Sequence, residues 1–439
     1  MSKALVFGAG VSGLGAKKLL EKNGYKVILV DDKKAMSSEE ALKILPEIEL
    51  FIKSPGVPYT ELVKKAFELN IPVIDEVELA YRYIKKKIKN PKIIAVTGTN
   101  GKTTTTTKIK ELIQYCGYKC EFAGNIGRSF ADLVAEDIDL DYIVLELSSY
   151  QLENVKEFRP DIAMVINLAP DHLDRYEKSE DYYDTKFKIA AKQKANDYFI
   201  ANMNCHESSK RLEKVKSAIW KISLEGKEGC DLYPEDGWVV YKNRNIISVE
   251  KLSLKGRHNL ENVLFIGAVA EIIGLKEEKL RDFLYNTKTL EHRMERFLEV
   301  GNSLFINDSK GTNIESSKMA IEAYHGCILI CGGVDKKLDL KPLVSAIKSH
   351  VSRVYLIGEL SDKLEQELIQ GGYPESKIIK SNNLENSVRL IQKTIDVNEK
   401  NNILLSPATA SFDQFKNFEV RGKTFKELVK KYFTAGEKS

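Results

Sequence analysis

Ile93-Ile94-Ala95-Val96-Thr97-Gly98-Thr99-Asn100-Gly101-Lys102-Thr103-Thr104 is the stretch on which the fold turns. Its first four residues are apolar and mostly β-branched, the pattern of a strand buried on both faces in a helix-covered parallel sheet. The two glycines that follow let backbone N–H groups approach an anion, and the helix starting behind them adds the partial positive charge of its N-terminus. In such a loop Lys102 neutralises β and γ phosphate oxygens, and the Thr103 hydroxyl ligates Mg²⁺. The wider form of the loop carries glycine five residues before Gly101, where this chain has Val96. The strand-before, helix-after setting therefore carries the assignment against a chance turn.

Towards the N-terminus, Lys85-Lys86-Lys87-Ile88-Lys89-Asn90-Pro91 breaks the pattern and reads as a linker. Before it, Lys3–Phe7 and Tyr25–Val30 read as strands, with strand and helix alternating to Ile84. Gly8-Ala9-Gly10-Val11-Ser12-Gly13, followed by Asp31, fits a dinucleotide-binding fingerprint. Taken alone it implies a nicotinamide-dependent dehydrogenase, but a tight turn at a helix start serves any diphosphate.

Towards the C-terminus, Tyr142–Leu147, Ile162–Leu168 and Asp197–Ala201 read as strands. Asp231–Ile247 reads as an antiparallel edge and Asn259–Ile273 as a helix. From Glu291 strands recur at Ser303–Asn307, Cys327–Cys331, Arg353–Ile357 and Ile403–Leu405. The expected architecture is α/β in three domains. Residues 1–90 form a Rossmann-like domain, 91–290 a phosphate-loop domain with a mostly parallel sheet, and 291–439 a second Rossmann-like domain.

A chain of 439 residues exceeds one hydrophobic core, and 43% hydrophobic with 30% charged residues excludes a disordered or fibrous class. The 67 basic and 63 acidic residues nearly balance, which argues against general nucleic-acid binding. Neither a secretory signal nor an apolar run long enough to span a membrane is present, so a cytoplasmic protein is expected. The spaced pairs Cys116/Cys120 and Cys327/Cys331 lack histidines at ligand spacing and read as buried thiols rather than a metal site.

Val96-Thr97-Gly98-Thr99-Asn100-Gly101-Lys102-Thr103-Thr104 resembles the nucleotide loop of the Mur ligase family, to which folylpolyglutamate synthetase is related. Six further segments match in the same order: Gly124–Gly127, Glu146–Leu152, Asn167–Asp174, Gly256–Asn262, Glu291–Glu295 and Asn307–Asn313. Ser406–Phe415, with Phe418 and Arg421-Gly422, resembles the C-terminus of the family member that joins D-glutamate to UDP-N-acetylmuramoyl-L-alanine.

The resemblance implies an ATP-dependent, Mg²⁺-requiring ligase of cytoplasmic cell-wall precursor synthesis, working through an acyl phosphate and expected as a monomer. It implies ATP contacts from Gly98, Thr99, Asn100, Gly101, Lys102, Thr103, Thr104 and Thr105, with Asn259 and Asn262 on the adenine side and Arg293, Asp308 and Lys310 near the nucleotide. Gly10, Val11, Ser12, Asp31, Asp32, Ser54, Gly56 and Asn125 are implied to hold UDP-N-acetylmuramoyl-L-alanine. Thr312, Lys336, Ser411 and Phe418 are implied to hold D-glutamate, although Thr312 and Ser411 also read as helix N-caps.

The implied catalytic set is Lys102, Glu146, His172 and Lys186, with Thr103, Glu146, His172 and Lys186 as metal ligands. Lys186 is the expected carbamylated lysine, with Lys188 as the alternative. A dehydrogenase, a nucleotide-sensing module and a sibling ligase using another amino acid stand as competing readings.

Overall fold

The computed structural model describes residues 2–86, 90–171, 175, 176, 178–226, 228–335 and 339–434. The chain divides into two compact units, Met1–Thr287 and Lys288–Ser439.

The first unit carries two sheets. In the smaller, Lys3–Phe7 lies between Lys26–Val30 and Leu50–Lys53, and Val73–Asp75 closes the far edge, all parallel. In the larger, Lys92–Thr97 lies between Tyr142–Glu146 and Ile162–Val165, again parallel. Cys120–Gly124 closes one side. On the other side Tyr198–Asn202 and Ala218–Ile222 lead to the antiparallel strands Leu232–Glu235, Trp238–Tyr241 and Arg244–Ser248. The expected antiparallel edge is thus present.

Alternation along the apolar strands sorts their side chains. Ile94, Val96, Val144 and Met164 pack with Ile109, Leu112 and Ile113 of helix Lys102–Tyr115. Ile93, Ala95, Ile143, Leu145 and Val165 face the other way and join Phe130 and Leu133 of helix Phe130–Ala135. That second core runs on without a break into Ala4, Val6, Ala16 and Leu20 of the smaller sheet and its first helix, Val11–Lys22. A Cβ on Gly15 would lie 2.0 Å from Ser129 Oγ, so the two helices meet at a glycine.

Three acids complete the union of the two sheets. The Glu78 carboxylate accepts the backbone N–H groups of Lys156, Glu157 and Phe158 at 2.9–3.0 Å. Asp75 accepts from Asn154 N and Nδ2 at 2.7 and 3.1 Å. Glu76 accepts from Ala131 N. Burial pushes the Glu76 carboxyl up to about 7. A carboxyl raised in the folded state contributes stability that is full below its unfolded value and is lost as pH rises through about 7. Glu76→Gln is therefore expected to melt with wild type near pH 5 and about 3 °C above it at pH 8. Thermal melts at both values check this, and parallel curves would refute it.

The second unit has one sheet in the order Glu295–Val300, Ser303–Asn307, Asn401–Leu405, Cys327–Gly332, Val351–Ile357 and Ile378–Asn382. Only Glu295–Val300 runs antiparallel. Cys120, Cys327 and Cys331 are buried and Cys116 half-buried, all as free thiols. Burial raises each of these thiols above the usual range.

Candidate functional site

In the first unit a cavity of about 620 Å³ opens between the glycine turn of the smaller sheet and the loop after Lys92–Thr97. The turn comes first. Helix Val11–Lys22 starts at Gly10 with no side-chain cap. A Cβ on Gly13 would stand 1.8 Å from Gly8 O, so only glycine lets the helix begin this close to the strand. Asp31 Oδ2 accepts from Ala9 N at 2.9 Å and Oδ1 from Lys33 N at 3.1 Å. Those backbone donors hold the Asp31 carboxyl below the usual range.

Gly10, Val11, Ser12, Asp31, Ser54, Gly56 and Asn125 all line the cavity. Asp32 does not. Its oxygens accept from Ser38 N and Ser38 Oγ at the start of helix Ser38–Ile44. A local cap uses the carboxylate that the sequence offered to the ligand.

The opposite wall is the phosphate loop. Gly101 sits at φ +83°, a left-handed backbone that glycine adopts without strain, and starts helix Lys102–Tyr115. The loop is tied to the end of the neighbouring strand. Thr99 N donates to Asn167 O at 2.9 Å, Asn100 N to Asn167 Oδ1 at 2.8 Å, and Ala169 N to Thr99 Oγ1 at 3.0 Å. Thr103, Thr104 and Thr105 are buried along the first turn. Asn262 lies beside them on helix Arg257–Ile272, with Thr105 Oγ1 donating to Asn262 Oδ1 at 3.2 Å and Asn259 adjacent.

Two lysines converge on one carbonyl. Lys102 Nζ donates to Gly98 O at 2.8 Å and to Thr99 O at 2.9 Å. Lys186 Nζ donates to the same Gly98 O at 2.9 Å and lies 4.6 Å from the Tyr182 ring centre, one turn back on helix Ser179–Phe187. Lys186 is buried, and burial together with the Lys102 charge drives its amine well below the usual lysine range. The charges of Asp171 and Glu146 oppose that shift. Lys188 is turned elsewhere, its Nζ on Glu153 O at 2.7 Å. Of the two, Lys186 is the buried one.

Glu146 ends strand Tyr142–Glu146 at 2% exposure. Its Oε1 accepts from Asn125 Nδ2 at 2.9 Å, while its buried Oε2 has no hydrogen-bond partner among the described residues. A buried carboxylate oxygen left over in this way suits a hard divalent cation, which takes oxygen ligands. The donor types fit Mg²⁺. His172 lies outside the described residues. Asp171, Tyr150, Gln151 and Tyr182 also line the cavity and went unassigned from sequence. All but Tyr182 lie inside the quoted motifs, and that inclusion was the available signal.

The second unit gathers its own group at the ends of Ser303–Asn307 and Asn401–Leu405. Asp308 Oδ2 accepts from Ser406 Oγ at 2.7 Å and Oδ1 from Met294 N at 3.2 Å. Burial raises its carboxyl to about 6. Arg293 stands between His292 and Met294, both left-handed at φ +63° and +43°, a strained arrangement that the Asp308 contact helps to hold. Lys310 Nζ lies 5.4 Å from the Phe418 ring centre.

Thr312 and Ser411 are not helix caps. Asn313 caps Ile314–Ala323 through Ser316 N, and Asn417 caps Phe418–Phe433 through Val420 N. Lys336 lies outside the described residues.

A glycine turn and a phosphate loop at the carboxyl ends of parallel strands define a phosphate-loop α/β protein. A model of the Mur ligase middle domain matches residues 96–270. The UDP-N-acetylmuramoylalanine–D-glutamate ligase of Fusobacterium nucleatum is 51% identical over 433 residues, covering 99% of this chain and all of that one. This chain belongs to the Mur ligase family. A second relative of the same name, from Caldanaerobacter subterraneus, is 38% identical over 97% of this chain and 98% of its own. Among solved structures, the UDP-N-acetylmuramate–alanine ligase of Thermotoga maritima gives a TM-score of 0.63 at 17% identity, covering 97% and 98% of the two chains. The MurF ligase of the same organism, in complex with ADP, gives 0.60 at 16% identity over 90% and 91%. These two likenesses bear on the fold alone.

Proposed function

We propose that the chain joins D-glutamate to UDP-N-acetylmuramoyl-L-alanine at the expense of ATP, in cytoplasmic cell-wall precursor synthesis. What carries this is the shared cavity. A turn fit for a nucleoside diphosphate and a loop fit for a triphosphate face one space, with Lys102 and Lys186 between them. An acyl group carried on a UDP-sugar and the γ phosphate of ATP are thereby brought together. The fingerprint Gly8–Gly13 serves the UDP moiety, which removes the need for a nicotinamide.

The substrate carboxylate attacks the γ phosphorus, ADP leaves, and an acyl phosphate forms. The D-glutamate amine then attacks the acyl carbon and gives up a proton, and phosphate departs. Such transfers are catalysed by positioning and by charge neutralisation rather than by covalent chemistry with the protein. Lys102 neutralises the transferring oxygens, and the loop N–H groups, tied in place through Asn167 and Ala169, hold the chain of phosphates. Glu146, Thr103, His172 and Lys186 as its carbamate would hold Mg²⁺. When bound, the ion offsets charge on the β and γ phosphates. Asn125 fixes one oxygen of the Glu146 carboxylate, and the other would be available to such an ion.

Carbamylation needs a neutral amine, and burial beside the Lys102 charge shifts Lys186 towards one. Arg293, Asp308 and Lys310 serve the nucleotide, and Thr312, Lys336, Ser411 and Phe418 the amino acid. Functionally the chain then comprises three domains, 1–90 for the UDP-sugar, 91–290 for ATP and 291–439 for the amino acid, acting as a monomer. No helix among the described residues is long and apolar enough to cross a membrane.

Phosphate release with an amino-acid panel tests this reading. Release is expected only when ATP, UDP-N-acetylmuramoyl-L-alanine and D-glutamate are all present. Equal release with L-alanine, L-lysine or diaminopimelate would overturn it.

A further inference from the structure

Helix Phe418–Phe433 begins behind the loops that follow Ser303–Asn307 and Asn401–Leu405, and Arg421 in its first turn reaches back beneath them. Arg421 is 1% exposed and heads the largest fully buried side chains of the protein. Its Nε donates to Ser309 Oγ at 3.0 Å, and its Nη2 to Ser309 O at 2.9 Å and Thr409 O at 3.3 Å. Ser309 Oγ passes the contact on, donating to Phe418 O at 2.9 Å. One guanidinium thus ties together the segments that carry Lys310, Ser411 and Phe418.

Its charge is another matter. Nη1 is buried with no hydrogen-bond partner among the described residues, and none of their carboxylates forms an ion pair with it. Asp413 and Asp308 act on it only at longer range. Burial draws the guanidinium down to about 10, which still leaves it charged at neutral pH. Holding an unpaired cation in the interior costs desolvation that a methionine of similar volume would avoid. A clamp needs hydrogen bonds but does not need that charge. A ligand bringing surplus negative charge to these loops would supply the missing compensation.

We propose that Arg421 is a positioning residue for the amino-acid site, and that its uncompensated charge selects an amino acid with a second carboxylate over a neutral one. This rests on the D-glutamate reading above.

The test compares kcat/KM for D-glutamate and D-glutamine, with KM for ATP measured alongside, in wild type, Arg421→Met and Arg421→Lys. Arg421→Met is expected to lower the D-glutamate preference by about tenfold or more, chiefly through KM for D-glutamate, and to leave KM for ATP within about threefold. A purely structural role would depress both amino acids alike. Arg421→Lys keeps the charge and shortens the clamp. It is expected to lose about tenfold in kcat while holding the preference within about threefold. An unchanged preference in folded Arg421→Met overturns the proposal. Should that variant fail to fold, Arg421→Gln takes its place: a retained preference in it overturns the proposal and a lost one supports it. Wild type that releases no phosphate with D-glutamate would instead sink the underlying function.

Discussion

Lys102→Ala is expected to lower kcat/KM by about a thousandfold or more, with little change in melting temperature. The side chain is half-buried and holds no core together, so the fold loses little. Its ammonium caps Gly98 O and Thr99 O. In the proposed reaction it neutralises the oxygens that gain charge as the phosphoryl group moves. An alanine there leaves two loop carbonyls facing an incoming phosphate, which turns an attractive site into a repulsive one. Arginine does not substitute, because a planar fork cannot occupy the space where a compact ammonium touches two carbonyls of one turn. Phosphate release checks the rate, and the nucleotide-induced rise in melting temperature checks binding. Turnover within about tenfold of wild type would mean that the loop does not handle phosphate.

Lys186→Met is the second large effect, again about a thousandfold in kcat. Methionine fills a similar volume, so the buried helix face survives while the nitrogen is removed. Lys186 carries a further signature. Its amine is held well below the usual range by burial and by the charge of Lys102. In its uncharged form such an amine attacks CO₂, forming a nitrogen–carbon bond and releasing one proton, so that a neutral group becomes an anion. Wild type stripped of CO₂ is therefore expected to lose activity and regain it with bicarbonate. Native mass is expected to rise by one CO₂, and the Met variant to respond to neither treatment. Activity indifferent to bicarbonate, with no added mass, would leave Lys186 as an unmodified cation.

The apolar strand before Gly98, the loop and the helix behind it were legible because burial on both faces leaves an uninterrupted run of β-branched residues. Three of the edge strands were not. Cys120–Gly124, Glu295–Val300 and Ile378–Asn382 lie at sheet margins, where solvent on one side admits Glu, Lys and Ser and dissolves the pattern. Choices between neighbours were equally closed to sequence. Asp31 lines the cavity while Asp32 is bonded to Ser38, and Lys186 is buried on Gly98 O while Lys188 reaches Glu153 O. Arg421 was quoted within a motif but given no task, because a buried cation without an acidic partner leaves no spacing to read.

The Glu78 carboxylate, saturated by three amides from beyond the linker, bears on how this chain can be cut or recombined. Excised alone, residues 1–90 would lose the donors that satisfy Asp75, Glu76 and Glu78, and an apolar face built around Ala16 and Leu20 would meet water. A chimera that takes this segment from another ligase must therefore import the matching 129–131 and 154–158 turns with it. The seam suited to exchange lies near Thr287, where the compact units part.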